Sequence, residues 1–110
     1  MATDWLRRGY NQGVAPVLTS RERAHLKARA HALEPILQVG RTGVQDSLVL
    51  EVDRALTAHE LIKLKIGDPD RDVRERIAET LSARTDSAIV QRVGKVVVLW
   101  RPKPVQEPLT

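Results

Sequence analysis

A chain of 110 residues, 42% of them hydrophobic, is enough for one compact domain with a real core and a short tail. With no Phe, one Tyr and two Trp, that core must be built from Leu, Val, Ile and Ala, which argues against an interface that stacks successive bases on an aromatic platform. The lack of cysteine excludes disulfides, thiolate metal sites and a Cys nucleophile, and the formal net charge of +4 is modest.

Residues 1–17 show no clean hydrophobic period and contain Gly9, Gly13 and Pro16, so they read as a flexible arm on which Trp5, Arg7, Arg8 and Tyr10 are available to a ligand. The domain is expected over residues 18–102. Thr19 followed by Glu22 forms a capping box that starts a first helix from about Ser20 to Leu33. Leu26, Ala30 and Leu33 make its buried stripe, while Arg23, Lys27 and His31 make a second, basic stripe at i, i+4, i+8. Glu34-Pro35 ends that helix. Ile36 to Val39 is a short apolar run suited to a buried strand, and the loop Gly40-Arg41-Thr42-Gly43 carries it into a second helix over Gln45 to His59.

Leu61 to Ile66 alternates as a strand, with Ile62, Leu64 and Ile66 on one face and Leu61, Lys63 and Lys65 on the other. Gly67-Asp68-Pro69 turns into a third helix that ends near Arg84 to Asp86, with Asp68 expected as N-cap and Pro69 at the first helical position. Ala88 to Val93 and Val96 to Arg101 are strands joined by Gly94-Lys95, a type II′ hairpin. Pro104 and Pro108 mark a non-regular tail over residues 103–110. The predicted fold is α/β: helix, strand, helix, strand, helix, strand, strand, in one mixed four-stranded layer with three helices. Right-handed crossovers make the first three strands parallel and leave the final strand, Val96 to Leu99, as an exposed antiparallel edge.

Charge is sorted by element. Arg21, Arg23, Lys27 and Arg29 face only Glu22 in the first helix, and Arg92, Lys95, Arg101 and Lys103 face no acid in the closing stretch. The stretch Val44 to Glu60 carries Asp46, Glu51, Asp53 and Glu60 against Arg54 alone. Such segregation points one side of the molecule at a polyanion, whereas the bland reading of each run is a solvated face. The glycine-bracketed loop has two readings as well. It is a tight strand-to-helix turn, or it is a phosphate cradle in which Gly40 and Gly43 admit the ligand to the backbone and Arg41 supplies a positive fork.

Catalysis has little support. His25, His31 and His59 share no helix face or metal-ligand spacing, and Ser20, Ser47, Ser82 and Ser87 lie in no nucleophile-elbow context. No cofactor, metal, small-molecule substrate or membrane partner is expected. The first eight residues lack an apolar signal core and no long apolar span follows, so a soluble cytoplasmic protein is expected.

Strings along the chain resemble the CRM family, also called the CRS1/YhbY domain. They are Leu18-Thr19 with Arg23-Ala24-His25-Leu26-Lys27, Ala30-His31, Pro35 through Gly43, His59 through Lys65, Gly94-Lys95, and Val98-Leu99-Trp100-Arg101-Pro102. The resemblance implies a fold similar to the C-terminal domain of bacterial translation initiation factor three and binding of structured RNA through the Gly-x-x-Gly loop. Stand-alone bacterial members are associated with large-subunit assembly, which implies ribosomal RNA as partner; plant organelle members act in intron splicing. Arg41 stands where Lys is common and keeps the charge, Arg29 stands at a frequently apolar position, and Trp100 replaces a usual Tyr and so removes a phenolic hydroxyl. On the residues and the resemblance together, the expected RNA contacts are Gly40, Arg41, Thr42, Gly43, Arg23 and Lys27, joined by Lys63 and Lys65 where no helix covers them, and by Lys95 and Arg101. A protein-binding adaptor on ribosomal or other ribonucleoprotein particles, working through the hairpin edge or the acidic second helix, and an RNA folding or splicing cofactor are rival expectations.

Overall fold

A computed structural model describes residues 15–40 and 42–103. Arg41 and most of the expected arm and tail therefore lie outside the described residues, as do Trp5, Arg7, Arg8 and Tyr10. The elements are α1 (Ser20–Ala30), β1 (Leu37–Val39), α2 (Asp46–His59), β2 (Leu61–Ile66), α3 (Arg71–Arg84), β3 (Ala88–Val93) and β4 (Val96–Trp100). This is the predicted order of helices and strands.

The sheet order is β1-β2-β4-β3, with β1 parallel to β2 and β4 antiparallel to both of its neighbours. The first three strands do run in one direction. The last strand, however, is inserted between β2 and β3 and is no edge. The reason is visible in its composition. Val97, Val98, Leu99 and Trp100 are all buried, and a continuous apolar run, unlike an alternating one, needs cover on both faces. β1 and β3 form the edges.

Each sheet face has its own core. Val39, Ile62, Leu64, Ile66, Val97 and Leu99 meet Val52 and Leu56 of α2 and Ile77, Ala78 and Leu81 of α3. On the opposite face Leu61, Ala88, Val90, Val98 and Trp100 meet Leu26 and Ala30 of α1, with Leu18 packed beside them. Two helices of fourteen residues thus cover one face, and one helix of eleven covers part of the other. At 1.5 Å per residue α1 is about 16 Å long and about 10 Å across, too small to shield four strands. Among the described residues no helix covers the sheet face around Lys65 and Val96.

Three local boundaries differ from expectation. α1 stops at Ala30 with His31 as C-cap, and the Leu33 N–H turns back to the Ala30 carbonyl at 3.0 Å. Leu33 therefore leaves the buried stripe and is 37% exposed. α3 is capped by Asp70, whose Oδ1 accepts from the N–H groups of Asp72 and Val73. Asp68 is not the N-cap and Pro69 precedes the helix, because the Asp68 carboxylate instead closes a turn by accepting from Asp70 N–H at 2.8 Å. In β3, Ala88 pairs with Trp100 and Ile89 with Leu99, but Gln91 pairs with Val98, so Val90 is an extra, bulged residue.

Candidate nucleic-acid interface

Because β1, β2 and β3 run the same way, their C-terminal ends share one end of the sheet, and the β3–β4 hairpin turns there too. The backbone ties this end together. Gly67 N–H donates to the Val39 carbonyl at 3.2 Å, and Ile66 N–H to the Lys95 carbonyl at 2.7 Å. The Gly40–Gly43 loop leaves directly from Val39. It closes on itself through a Gly43 N–H to Gly40 carbonyl contact at 3.4 Å, and Gly43 sits at φ +75, where a Cβ is strained. Thr42 is exposed beside it. No atom lies within 4 Å of where a Cβ on Gly40 or Gly43 would be, so the loop is open to solvent on both glycines. Among the described helices, α2 alone begins without a side-chain cap: Gln45 makes no capping bond, whereas Thr19 and Asp70 cap α1 and α3. The first turn of α2 follows the loop with N–H groups that no described side chain satisfies.

The lysines sit next to this loop in a ladder set by the register. Gln38, Lys65 and Val96 are neighbours across β1, β2 and β4, and one row back Lys63, Val98 and Gln91 are neighbours across β2, β4 and β3. Val98 packs against α1, so every side chain in these rows points to the α1 side. Lys65 is exposed and Lys63 half-buried, both on the part of the face that α1 leaves open. Lys27 projects from α1 over the same area and shares a groove with Lys63. Lys95 stands exposed in the hairpin, two strand spacings, about 10 Å, from Val39. None of these four lysines makes a side-chain hydrogen bond or ion pair among the described residues.

The arginines behave in the opposite way. Arg101 is only 13% exposed and is spent on structure: Nη1 donates to Asp53 Oδ1 at 2.7 Å and to the Thr85 carbonyl at 2.8 Å, while Nη2 donates to the Asp53 carbonyl and to Thr57 Oγ1. It also lies at the far end of the sheet from the loop, where its N–H bonds the Glu60 carbonyl. The structure thus places Arg101 in a hydrogen-bonded network apart from the glycine loop and the open face. Arg23 is half-buried, and its Nη1 donates to the carbonyls of Ile89 and Val90, the two backbone groups turned out by the β3 bulge. Its Nη1 thus holds the edge strand, while the residue still lines the surface beside Lys27 and Arg92. Arg84 pairs with Asp46 and Arg92 with Glu79.

Part of the segregation of charge in the sequence is thus internal pairing, with α2 acids meeting cations from α3 and the end of β4. Among the lysines left out of this pairing, Lys27, Lys63, Lys65 and Lys95 cluster around the open face. Sequence reasoning had Lys63 and Lys65 from strand alternation; it could not separate them from Arg101, because the partners of Arg101 lie in sequence up to 48 residues away. It also missed Gln91, whose direction depends on the bulge. His25, His31 and His59 are all exposed, and only His31 faces the groove. Among the described residues no three His, Asp or Glu side chains gather as metal ligands, and no helix is long and apolar enough to cross a membrane.

Known proteins are similar to this chain in sequence and in fold. The family model of the CRS1 / YhbY (CRM) domain matches residues 18–101. An RNA-binding protein of Haemophilus influenzae is 35% identical over 85 residues, covering 77% of this chain and 86% of its own length. The probable RNA-binding protein YqeI of Bacillus subtilis is likewise 35% identical over 85 residues, covering 77% of this chain and 88% of that protein. The solution structure of a hypothetical protein from Staphylococcus aureus superimposes with a TM-score of 0.72 at 32% identity, over 83% of this chain and 95% of the other. Since the match runs from the residue before the Thr19 cap to Arg101 and takes in the glycine loop, the lysine strand and the hairpin, the chain belongs to the CRS1/YhbY (CRM) domain family.

Proposed function

We propose that this protein binds structured RNA, specifically ribosomal RNA in precursors of the large subunit, and acts in ribosome assembly in the cytoplasm. The observation that carries the RNA reading is the open half of the sheet, where Lys63 and Lys65, with Lys27 and Lys95 around them, have no partner among the described residues and adjoin the glycine loop. Four unpaired ammonium groups on one side suit a polyanion, and lysines contact phosphates without reading base identity. The names of the Haemophilus and Bacillus relatives support the same ligand, and the ribosomal target is supported by the resemblance to stand-alone bacterial members. In this reading Gly40 and Gly43 let the loop backbone approach a phosphate, Thr42 and the first N–H groups of α2 donate to it, and Arg41 pairs with its oxygens.

The adaptor reading has less support: β4 of its valine-rich hairpin is the buried central strand, and Asp46 and Asp53 of α2 pair with Arg84 and Arg101, while Glu51 and the β3 edge stay exposed. Sedimentation of lysate through a sucrose gradient tests the assembly role, with wild type compared against Arg41→Glu. Wild type is expected with large-subunit precursors and the variant at the top. Wild type at the top alongside a folded variant contradicts the ribosomal target.

A further inference from the structure

Between α1 and the open half of the sheet runs a groove of about 670 Å³, within the range of clefts that hold small molecules. Its floor is Val96 and Val98, and its walls are Leu33 and Val93 with Ala28 at the lip. Leu33 and Val93 are 37% and 58% exposed. Polar groups are few: Lys27, Lys63 and His31 stand at the rim, the half-buried Gln91 amide lies in the row of Lys63 and Val98, and Glu34 is the one acid in the lining.

Three structural devices make this groove. Early termination of α1 at Ala30 turns Leu33 out of the core and onto the wall. The bulge at Val90 reverses the facing of every β3 residue after it, bringing Gln91 and Val93 to the α1 side and sending Arg92 to Glu79 on the other. Arg23 secures that bulge by holding its carbonyls.

We propose that this groove receives one unpaired nucleotide of the bound RNA, its base against Val93, Val96 and Leu33 and its phosphate on Lys27 and Lys63. The proposal rests on the RNA reading above and deepens it, since it names the state of the RNA. Apolar walls beneath a cationic rim match a ligand with apolar faces and a negative edge, which an unpaired nucleotide has. A duplex offers such a groove only sugars and phosphates, and its bases stay stacked inside. The Gln91 amide has a donor and an acceptor for a base edge. Packing here is on aliphatic side chains, so it needs no aromatic platform.

The test compares an RNA hairpin carrying 2-aminopurine in its loop with a blunt duplex of the same stem, in fluorescence titrations of wild type, Ala28→Trp and Arg41→Glu. Ala28 is exposed on α1, so the indole fills the groove without entering the core. Wild type is expected to prefer the hairpin by about tenfold and to change 2-aminopurine emission. Ala28→Trp is expected to lose the preference and the emission change yet still bind the duplex. Arg41→Glu is expected to weaken both RNAs. If Ala28→Trp keeps the preference and the emission change, or wild type shows neither, the groove proposal fails while the loop reading stands on Arg41→Glu. If wild type binds neither RNA, both fail together. Sedimentation equilibrium of the same samples closes the other route: a dimer in wild type that Ala28→Trp abolishes, with RNA binding unchanged, assigns the groove to a second copy and overturns the proposal.

Discussion

Arg101→Ala should unsettle the fold and leave RNA affinity unchanged. The wild-type guanidinium joins the end of β4 to α2 and to the turn after α3 through four hydrogen bonds, on a side chain 13% exposed. A hydrogen bond involving a charged group contributes about 1.5–3 kcal/mol where water is excluded. Not all of that is lost. Asp53 is 52% exposed and Thr57 exposed, so both regain water, and this pair alone behaves as a surface ion pair worth at most about 1 kcal/mol. Thr85 is buried, so its carbonyl is left short of a partner at a cost of about 1–3 kcal/mol. Together these give about 2–3 kcal/mol, or a fall in Tm of about 10–20 °C for a domain of this size. Urea titration followed by far-UV circular dichroism measures it. Arg101→Lys should lose nearly as much, because an ammonium cannot span the four acceptors. A loss below about 1 kcal/mol with an unchanged m-value would refute the structural role, and a fall in RNA affinity of the folded variant would return Arg101 to the interface.

The two loop glycines should separate by conformation. Gly43→Ala places a Cβ at φ +75 and should cost about 1 kcal/mol of stability, read by the same urea titration. Gly40→Ala meets no atom within 4 Å, so it should leave stability within about 0.5 kcal/mol while weakening RNA binding in a filter assay; unchanged binding would mean that no ligand approaches the Gly40 backbone. At the start of α3, Asp70→Ala should cost about 1 kcal/mol through loss of two capping bonds, and Asp68→Ala less, since its carboxylate accepts only one. A larger loss for Asp68→Ala in thermal melts would restore it as the helix cap.

The legible parts of this protein were those written in local periodicity and composition. The capping box at Thr19, the strand alternation of Lys63 and Lys65 and the glycine-bracketed loop each declare themselves within a few residues, and the structure keeps them. What the sequence did not yield was pairing at long range. The hairpin signal at Gly94-Lys95 joins β3 to β4 but says nothing of which partner the free side of β4 takes, and β2 takes it. Val96 to Trp100 carried the needed hint in its unbroken apolar run, which an edge strand would expose to water. Arg23 looked like a ligand-facing member of a basic stripe because stripes are drawn on an isolated helix. Its true partners are carbonyls exposed by a bulge more than sixty residues on, and a bulge leaves no periodic mark.

The central claim, that the open sheet face binds RNA through its unpaired lysines, is tested most directly by the salt dependence of binding. Fluorescence anisotropy of a labelled RNA hairpin, titrated over a range of salt with wild type and with a Lys63→Ala, Lys65→Ala double variant, reads both affinity and slope. Loss of two phosphate contacts should weaken binding at low salt and flatten the slope of log K against log salt by about 1.4–1.8, with thermal stability unchanged. Equal affinity and equal slope for the two proteins would contradict the account and move the RNA to another surface.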